Sequence, residues 1–176
     1  FDREGSFYHL VCLGTFKGLD RSMGFPEGLD AVREQGGWVI LAHPCWTGNT
    51  FEEAVRWDFD SVEIYNHVCR WLNGKGNGLA YWQAMLRANG GVLGLACDDA
   101  HIRPEHPGWN GGWVMIQAPS LTRDAVMAAL RGGRFYSSMG PSFRKSEGDD
   151  SRVHIETSPV RFARLVGPAY LGQRAG

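Results

Sequence analysis

Residues 94–101 read Gly-Leu-Ala-Cys-Asp-Asp-Ala-His, with Leu93 ahead of them. An apolar run empties into two adjacent carboxylates and, two positions past the second, an imidazole. Along an extended backbone residues i and i+2 point the same way, so Asp99 and His101 can converge on one point. A hard oxygen and a borderline nitrogen held together suit a divalent transition metal. An Asp-x-His pair is equally the material of a loop hydrogen bond, and these residues alone leave both readings open. Residues 38–44, Trp-Val-Ile-Leu-Ala-His-Pro, repeat the design, an apolar run that stops abruptly at His43.

The remaining residues must supply elements that hold such groups. With 176 residues, 43% of them hydrophobic, the chain suffices for one domain with a real core and falls short of two comfortable ones. A formal net charge of -1 and a pI near 6.6 make no electrostatic case for nucleic acid or an anionic membrane. No apolar run approaches the roughly 18 residues of a membrane span, and no signal peptide opens the sequence. Cys12, Cys45, Cys69 and Cys97 show no CxxC spacing, which favours reduced thiols, mostly small buried hydrophobes, in a cytoplasmic protein. The 24 glycines and seven tryptophans imply many tight turns and aromatic-lined loops.

Taken in order, residues 7–14 form a short strand that contains His9, and Pro26 to Gln35 a helix that Gly36-Gly37 stops. Trp38 to Ala42 is a strand buried on both faces. Asn49 or Thr50 caps a short helix through Trp57, and Ser61 to Tyr65 is a third strand leading into Asn66 and His67. After the glycine-rich loop 73–78 comes a helix, Leu79 to Ala88, with an apolar face of Leu79, Trp82, Met85 and Leu86. Val92 to Cys97 is the fourth strand. Asp98 to Gly112 is a long irregular loop, and one that begins at a polar cluster is a functional candidate.

Gly112 to Gln117 is a fifth strand, Leu121 to Arg131 a helix, and Arg134 to Pro141 a turn-rich connection with a short strand. Lys145 to Arg152 reads as an exposed turn, and Val153 to Thr157 and Val160 to Val166 as two strands joined at Ser158-Pro159.

Strand alternating with helix implies parallel βαβ units in an open sheet or closed barrel. Ligands in both gather at the carboxyl ends of the strands. His43 ends the second strand, Asn66 and His67 the third, and Asp98, Asp99 and His101 the fourth, so polar groups accumulate at that edge strand after strand. Asp98 is expected to support Asp99 or shape the turn, because adjacent strand residues point apart. Glu63 lies inside a strand and is expected to pair with an arginine; His106 and His154 are left to solvent.

Leu-Ala-His-Pro-Cys-Trp at 41–46, Val-Glu-Ile-Tyr-Asn at 62–66 and Cys-Asp-Asp-Ala-His at 97–101 resemble the polymerase-and-histidinol-phosphatase (PHP) family of metal-dependent phosphoesterases. His-Leu-Val-Cys-Leu-Gly at 9–14 and the tail motifs after Gly133 follow in the same order. The resemblance implies an α/β fold, a distorted (β/α)7 TIM-like barrel, with two or three divalent ions, zinc, manganese or iron. Carried over by motif, it implies His9, His43, Asp99 and His101 as metal ligands. The family's opening His-x-His pair has no counterpart, nor does the bridging glutamate before His9, Glu4 lying too near the start to fill that role. The expectation is therefore a single domain over residues 1–176 that is truncated, with its N-terminal strands and its C-terminal end outside the sequence.

Ions so held lower the pKa of a bound water toward about 7 and polarise a phosphoryl oxygen. The expected activity is hydrolysis of a small phosphate monoester or diester. Asp99 and His101 are the expected catalytic pair, and Arg103, Asn66 and His67 the substrate-binding residues, with Arg103 offering a planar fork of donors to phosphate. His101 or His67, if not bound to metal, could protonate the leaving alcohol. Two alternatives stand beside this reading: metal-dependent C–N hydrolysis of the amidohydrolase kind, and a non-catalytic binding module that keeps the PHP-like fold.

Overall fold

The computed structural model describes residues 7–20, 22–105 and 108–176. The chain divides into two compact units, the first ending at Met139 and the second spanning Gly140–Gly176.

In the first unit one sheet has the order β1 (Leu10–Leu13), β2 (Trp38–Leu41), β3 (Ser61–Asn66), β4 (Leu93–Cys97). β2, β3 and β4 are parallel, whereas β1 runs antiparallel to β2, with Leu10 opposite Leu41 and Leu13 opposite Trp38. Helices fill the connections: α1 (Phe25–Glu34), then α2 (Pro44–Thr47) and α3 (Phe51–Arg56), then α4 (His67–Asn73) and α5 (Leu79–Ala88). Pro26 pre-sets the first turn of α1. A complete capping box between Thr50 and Glu53 starts α3.

Every side chain of β2 is buried, as a strand with no polar alternate requires. Val39 and Leu41 enter a cluster with Leu29, Val32, Ala54, Val62 and Met85 beneath the helices. Trp38 and Ile40, pointing the other way, join Leu95 and Leu130. Burying one such aliphatic side chain contributes about 1.5–3 kcal/mol, so the sheet is fixed from both faces. The second face is covered in part by α6 (Arg123–Arg131) and the antiparallel pair β5 (Trp113–Ile116) and β6 (Phe135–Ser138). On α5 the core-facing residues are Tyr81, Trp82 and Met85, while Leu79 and Leu86 are exposed, so the apolar stripe read from the sequence is rotated.

Two expectations of the fold are overturned. The distorted (β/α)7 barrel is absent among the described residues: parallel pairing stops at β4, β1 is reversed, and β5 pairs only with β6, leaving a mixed four-stranded sheet and small two-stranded sheets. Strand–helix alternation specifies crossover lengths but not strand direction, and that is where the barrel reading failed. In the second unit the run 145–152 is a turn only from Asp149; before it lies β7 (Phe143–Gly148), which pairs antiparallel with β8 (Val153–Thr157). β9 (Ala163–Val166) pairs with β10 (Gly172–Ala175), not with β8. No helix among the described residues is long and apolar enough to cross a membrane.

Candidate functional site

The reversed strand β1 brings the first site residue into place. Because β1 runs against β2, its beginning lies beside the end of β2, and the carbonyl of His9 accepts from the backbone N–H of Ala42 at 2.9 Å. A parallel β1 would have carried His9 to the opposite end of the sheet. Its Nδ1 instead lies 2.8 Å from Nε2 of His43.

His43 is 4% exposed. Its φ of 28° lies in the left-handed region, unusual for a non-glycine residue and more so before Pro44. The surroundings hold it there: its backbone N–H donates to Oε2 of Glu63 at 2.8 Å, and Trp46 packs edge-on against the ring. Nε2 also lies 3.9 Å from Oδ2 of Asp99, and Nδ1 is buried without a hydrogen-bond partner. Asp99 has a left-handed backbone too, φ 54°, which breaks the alternation of β4. Sparsely populated backbone conformations persist where the fold over-determines them, and they concentrate at functional sites.

Asn66, 1% exposed, ties the strand ends together. Its Oδ1 accepts from the Cys69 N–H at 2.9 Å and so caps α4. Its Nδ2 donates to Glu63 Oε2 at 2.9 Å and to Asp99 Oδ2 at 3.3 Å. Asn66 thus positions Asp99, and its amide is already committed to the protein. Glu63 meets the His43 N–H and Asn66, not the arginine expected for it. A bulge between Glu63 and Tyr65 accompanies this arrangement, and the glycine-rich loop lies along β3 beside it. A Cβ on Gly78 would stand 2.0 Å from the Glu63 carbonyl, so only glycine admits that approach.

Burial holds the His43 pKa below the usual imidazole range; the Glu63 and Asp99 carboxylates oppose the shift and His9 adds to it. The neutral ring it favours is the form that binds metal. Burial also raises the Cys97 thiol, reinforced by the carboxylates of Glu63 and Asp99. Cys69 is pushed up to about 12 by burial and then by Asp99 and Glu63. Both stay protonated thiols near neutrality; Cys69 is the buried one, while Cys12, Cys45 and Cys97 are half-buried, short of the burial expected of them.

Asp98 and Asp99 point to different tasks. Asp98 accepts from the backbone N–H groups of Asn110, Gly111 and Gly112, the latter two at 2.8 Å, and so closes the base of the long loop. His67 hydrogen-bonds through Nδ1 to the Tyr65 hydroxyl at 3.1 Å, and Gly111 packs so closely on its ring that a Cβ there would lie 2.1 Å away. His101 and Arg103 are exposed on the loop, and none of the contacts joining His9, His43, Glu63, Asn66 and Asp99 involves them. His154 is exposed and bonded to Glu156, while Glu4 and His106 lie outside the described residues.

Donor chemistry at His9, His43 and Asp99 fits a borderline divalent ion. Two imidazole nitrogens on one tetrahedral ion at about 2.0–2.1 Å stand about 3.3–3.4 Å apart, between the 2.8 Å of the histidine pair and the 3.9 Å from His43 to Asp99. As they stand the groups are not drawn in around a common point: no group of three or more His, Cys, Asp or Glu among the described residues is arranged to hold a metal ion. The supporting roles of Glu63 and Asn66 escaped the sequence reading, although a carboxylate inside an apolar strand was a signal. No protein-family model matches this chain, and no curated protein matches it.

Proposed function

We propose that this chain hydrolyses a small phosphate ester with the help of a divalent metal at the carboxyl edge of its parallel strands. The observation that carries the reading is that His43 stands there within reach of both His9 and Asp99, residues of separate segments, with the His43 and Asp99 backbones in a left-handed conformation. The motif resemblance to PHP phosphoesterases supports the same chemistry, independently of the barrel once expected with it. Zinc, manganese or iron suits these donors, and such an ion supplies Lewis acidity to a phosphoryl oxygen and to the attacking water.

His9, His43 and Asp99 would hold the ion, while Glu63 and Asn66 would fix the ligands from behind, as supporting groups do in metal sites. His67, held by the hydrogen bond between its Nδ1 and the Tyr65 hydroxyl, is the group proposed to pass a proton to the departing alcohol, a role that uses the imidazolium form. Arg103 offers its fork of donors to the phosphate from the loop. Four unbridged cysteines fit a reducing, cytoplasmic setting.

The test is phosphate release from p-nitrophenyl phosphate and alkyl phosphates before and after chelation, with manganese, zinc or ferrous ion restored separately, beside matched amide substrates. Loss on chelation and recovery with metal is expected. Turnover indifferent to chelator, or amide cleavage in place of phosphate release, overturns the proposal.

A further inference from the structure

On the second face of the sheet lies a cavity of about 290 Å³ whose wall includes Asp99 and Glu63. Its other walls are apolar, among them Val11 of β1, Ile40 of β2, Leu95 of β4 and Val114 of β5. Asp99, past the carboxyl end of β4, belongs to the proposed site, whereas Glu63 lies within β3 opposite Leu95. Ile40 and Leu95 lie further back along strands that rise about 3.3 Å per residue. A cavity of about 150 Å³ lined by aliphatic side chains accommodates benzene. This space therefore admits an aromatic ring with a short linker, leaving the linker's far end at Asp99.

From this geometry we infer that the cavity is the substrate's apolar subsite: the ester acted on carries an aryl or branched aliphatic group on its alcohol side, seated between Val11, Ile40, Leu95 and Val114. The inference rests on the proposed phosphoesterase reading and deepens it by naming the substrate class. An apolar wall that shares a residue with the reacting centre separates substrates by size and hydrophobicity, because even one methylene in such a pocket changes rates by about 10–200-fold. Charge contributes in the same direction. Glu63 and Asp99 in its wall disfavour a second anionic group inside the cavity, so a sugar bisphosphate or polyphosphate is a poor occupant.

The test compares 2-phenylethyl phosphate with ethyl phosphate, whose leaving groups are both primary alcohols, and separately measures binding of 2-phenylethanol to chelator-treated protein by calorimetry. Expected are a kcat/KM at least about 100-fold higher for the phenylethyl ester and saturable binding of the alcohol without metal. Val11→Trp, on a partly exposed edge strand, fills the cavity and is expected to abolish both the binding and the preference while ethyl phosphate turnover persists; Val114→Phe is the second variant should the first not fold. Saturable binding that Val11→Trp abolishes, without hydrolysis of either ester, supports the subsite and sinks the phosphoesterase reading. Equal hydrolysis of both esters overturns the subsite and leaves the reaction standing; absence of alcohol binding overturns the subsite.

Discussion

The strand-end cluster and the loop that borders it are built from neighbouring residues and differ in almost every physical respect. His43 and Asn66 are nearly inaccessible, and the contacts of His43 with His9 and Glu63 and of Asn66 with Asp99 join segments far apart in sequence. Along residues 99–105 the loop is largely exposed and is closed at its base by one side chain, Asp98. The boundary falls between two consecutive aspartates. Asp98 turns to the loop's returning backbone, while Asp99, by adopting φ 54°, stands within 3.9 Å of His43. Backbone handedness at a strand end, not adjacency in the sequence, decides which carboxylate joins the site.

Breaking the cluster has the largest expected consequence. His9→Ala and His43→Ala each remove a proposed ligand, and a competition assay with a chromogenic chelator should show metal affinity falling by more than about 100-fold, beyond the cost of losing a supporting group. Glu63→Gln keeps the volume but removes the negative charge from the acceptor of the His43 N–H and Asn66 Nδ2. A loss of about 10–100-fold in metal affinity is expected there, with the circular dichroism spectrum unchanged.

Breaking the loop acts on stability and local order instead. Asp98→Ala strips charge-assisted acceptors from Gly111 and Gly112 and should cost about 1–3 kcal/mol in urea unfolding. Hydrogen exchange should accelerate at residues 110–112 and leave β2 protected. Metal affinity that fell as far as in His43→Ala would erase the distinction between the two regions.

A smaller effect follows from protonation of His43. Its folded pKa lies below the ordinary 6.5 because of burial, so the unfolded chain binds more protons as the pH falls past that value. Stability of the metal-free protein is therefore greatest above about 6.5 and declines as the pH drops toward the folded pKa, with no further loss from this group below it. Urea midpoints at pH 7.5 and 5.5 should separate more in the wild type than in His43→Gln; equal separations would show that another group carries the titration. His101→Ala, on the exposed side of the boundary, should change stability by no more than about 0.5 kcal/mol and leave the chelator-competition curve in place.

Much of the scaffold was legible because its signals are local. Trp-Val-Ile-Leu admits little but a doubly buried strand, Thr50 and Glu53 announce a cap, and the glycines at 36 and 37 stop α1. His43 and Asp99 were legible as polar residues ending apolar runs. His9 was found by motif resemblance, but its reason for reaching the site was not: reversal of β1 is set by pairing between residues as far apart as Leu10 and Leu41, which no short window encodes. The same long-range choice undid the barrel. Asn66 and Glu63 were misread in role because side-chain hydrogen bonds between strands depend on a bulge and on glycine-permitted packing that single-strand patterns do not specify. His101 followed Asp99 in the reading by i, i+2 alternation, which the left-handed turn at Asp99 ends.

The most direct test of the central claim is elemental analysis of bound transition metal, after loading and exhaustive dialysis, in the wild type, Asp99→Ala and Asp98→Ala. The account predicts that metal is retained by the wild type and Asp98→Ala and lost from Asp99→Ala. Retention by Asp99→Ala, or no metal in the wild type, would contradict it.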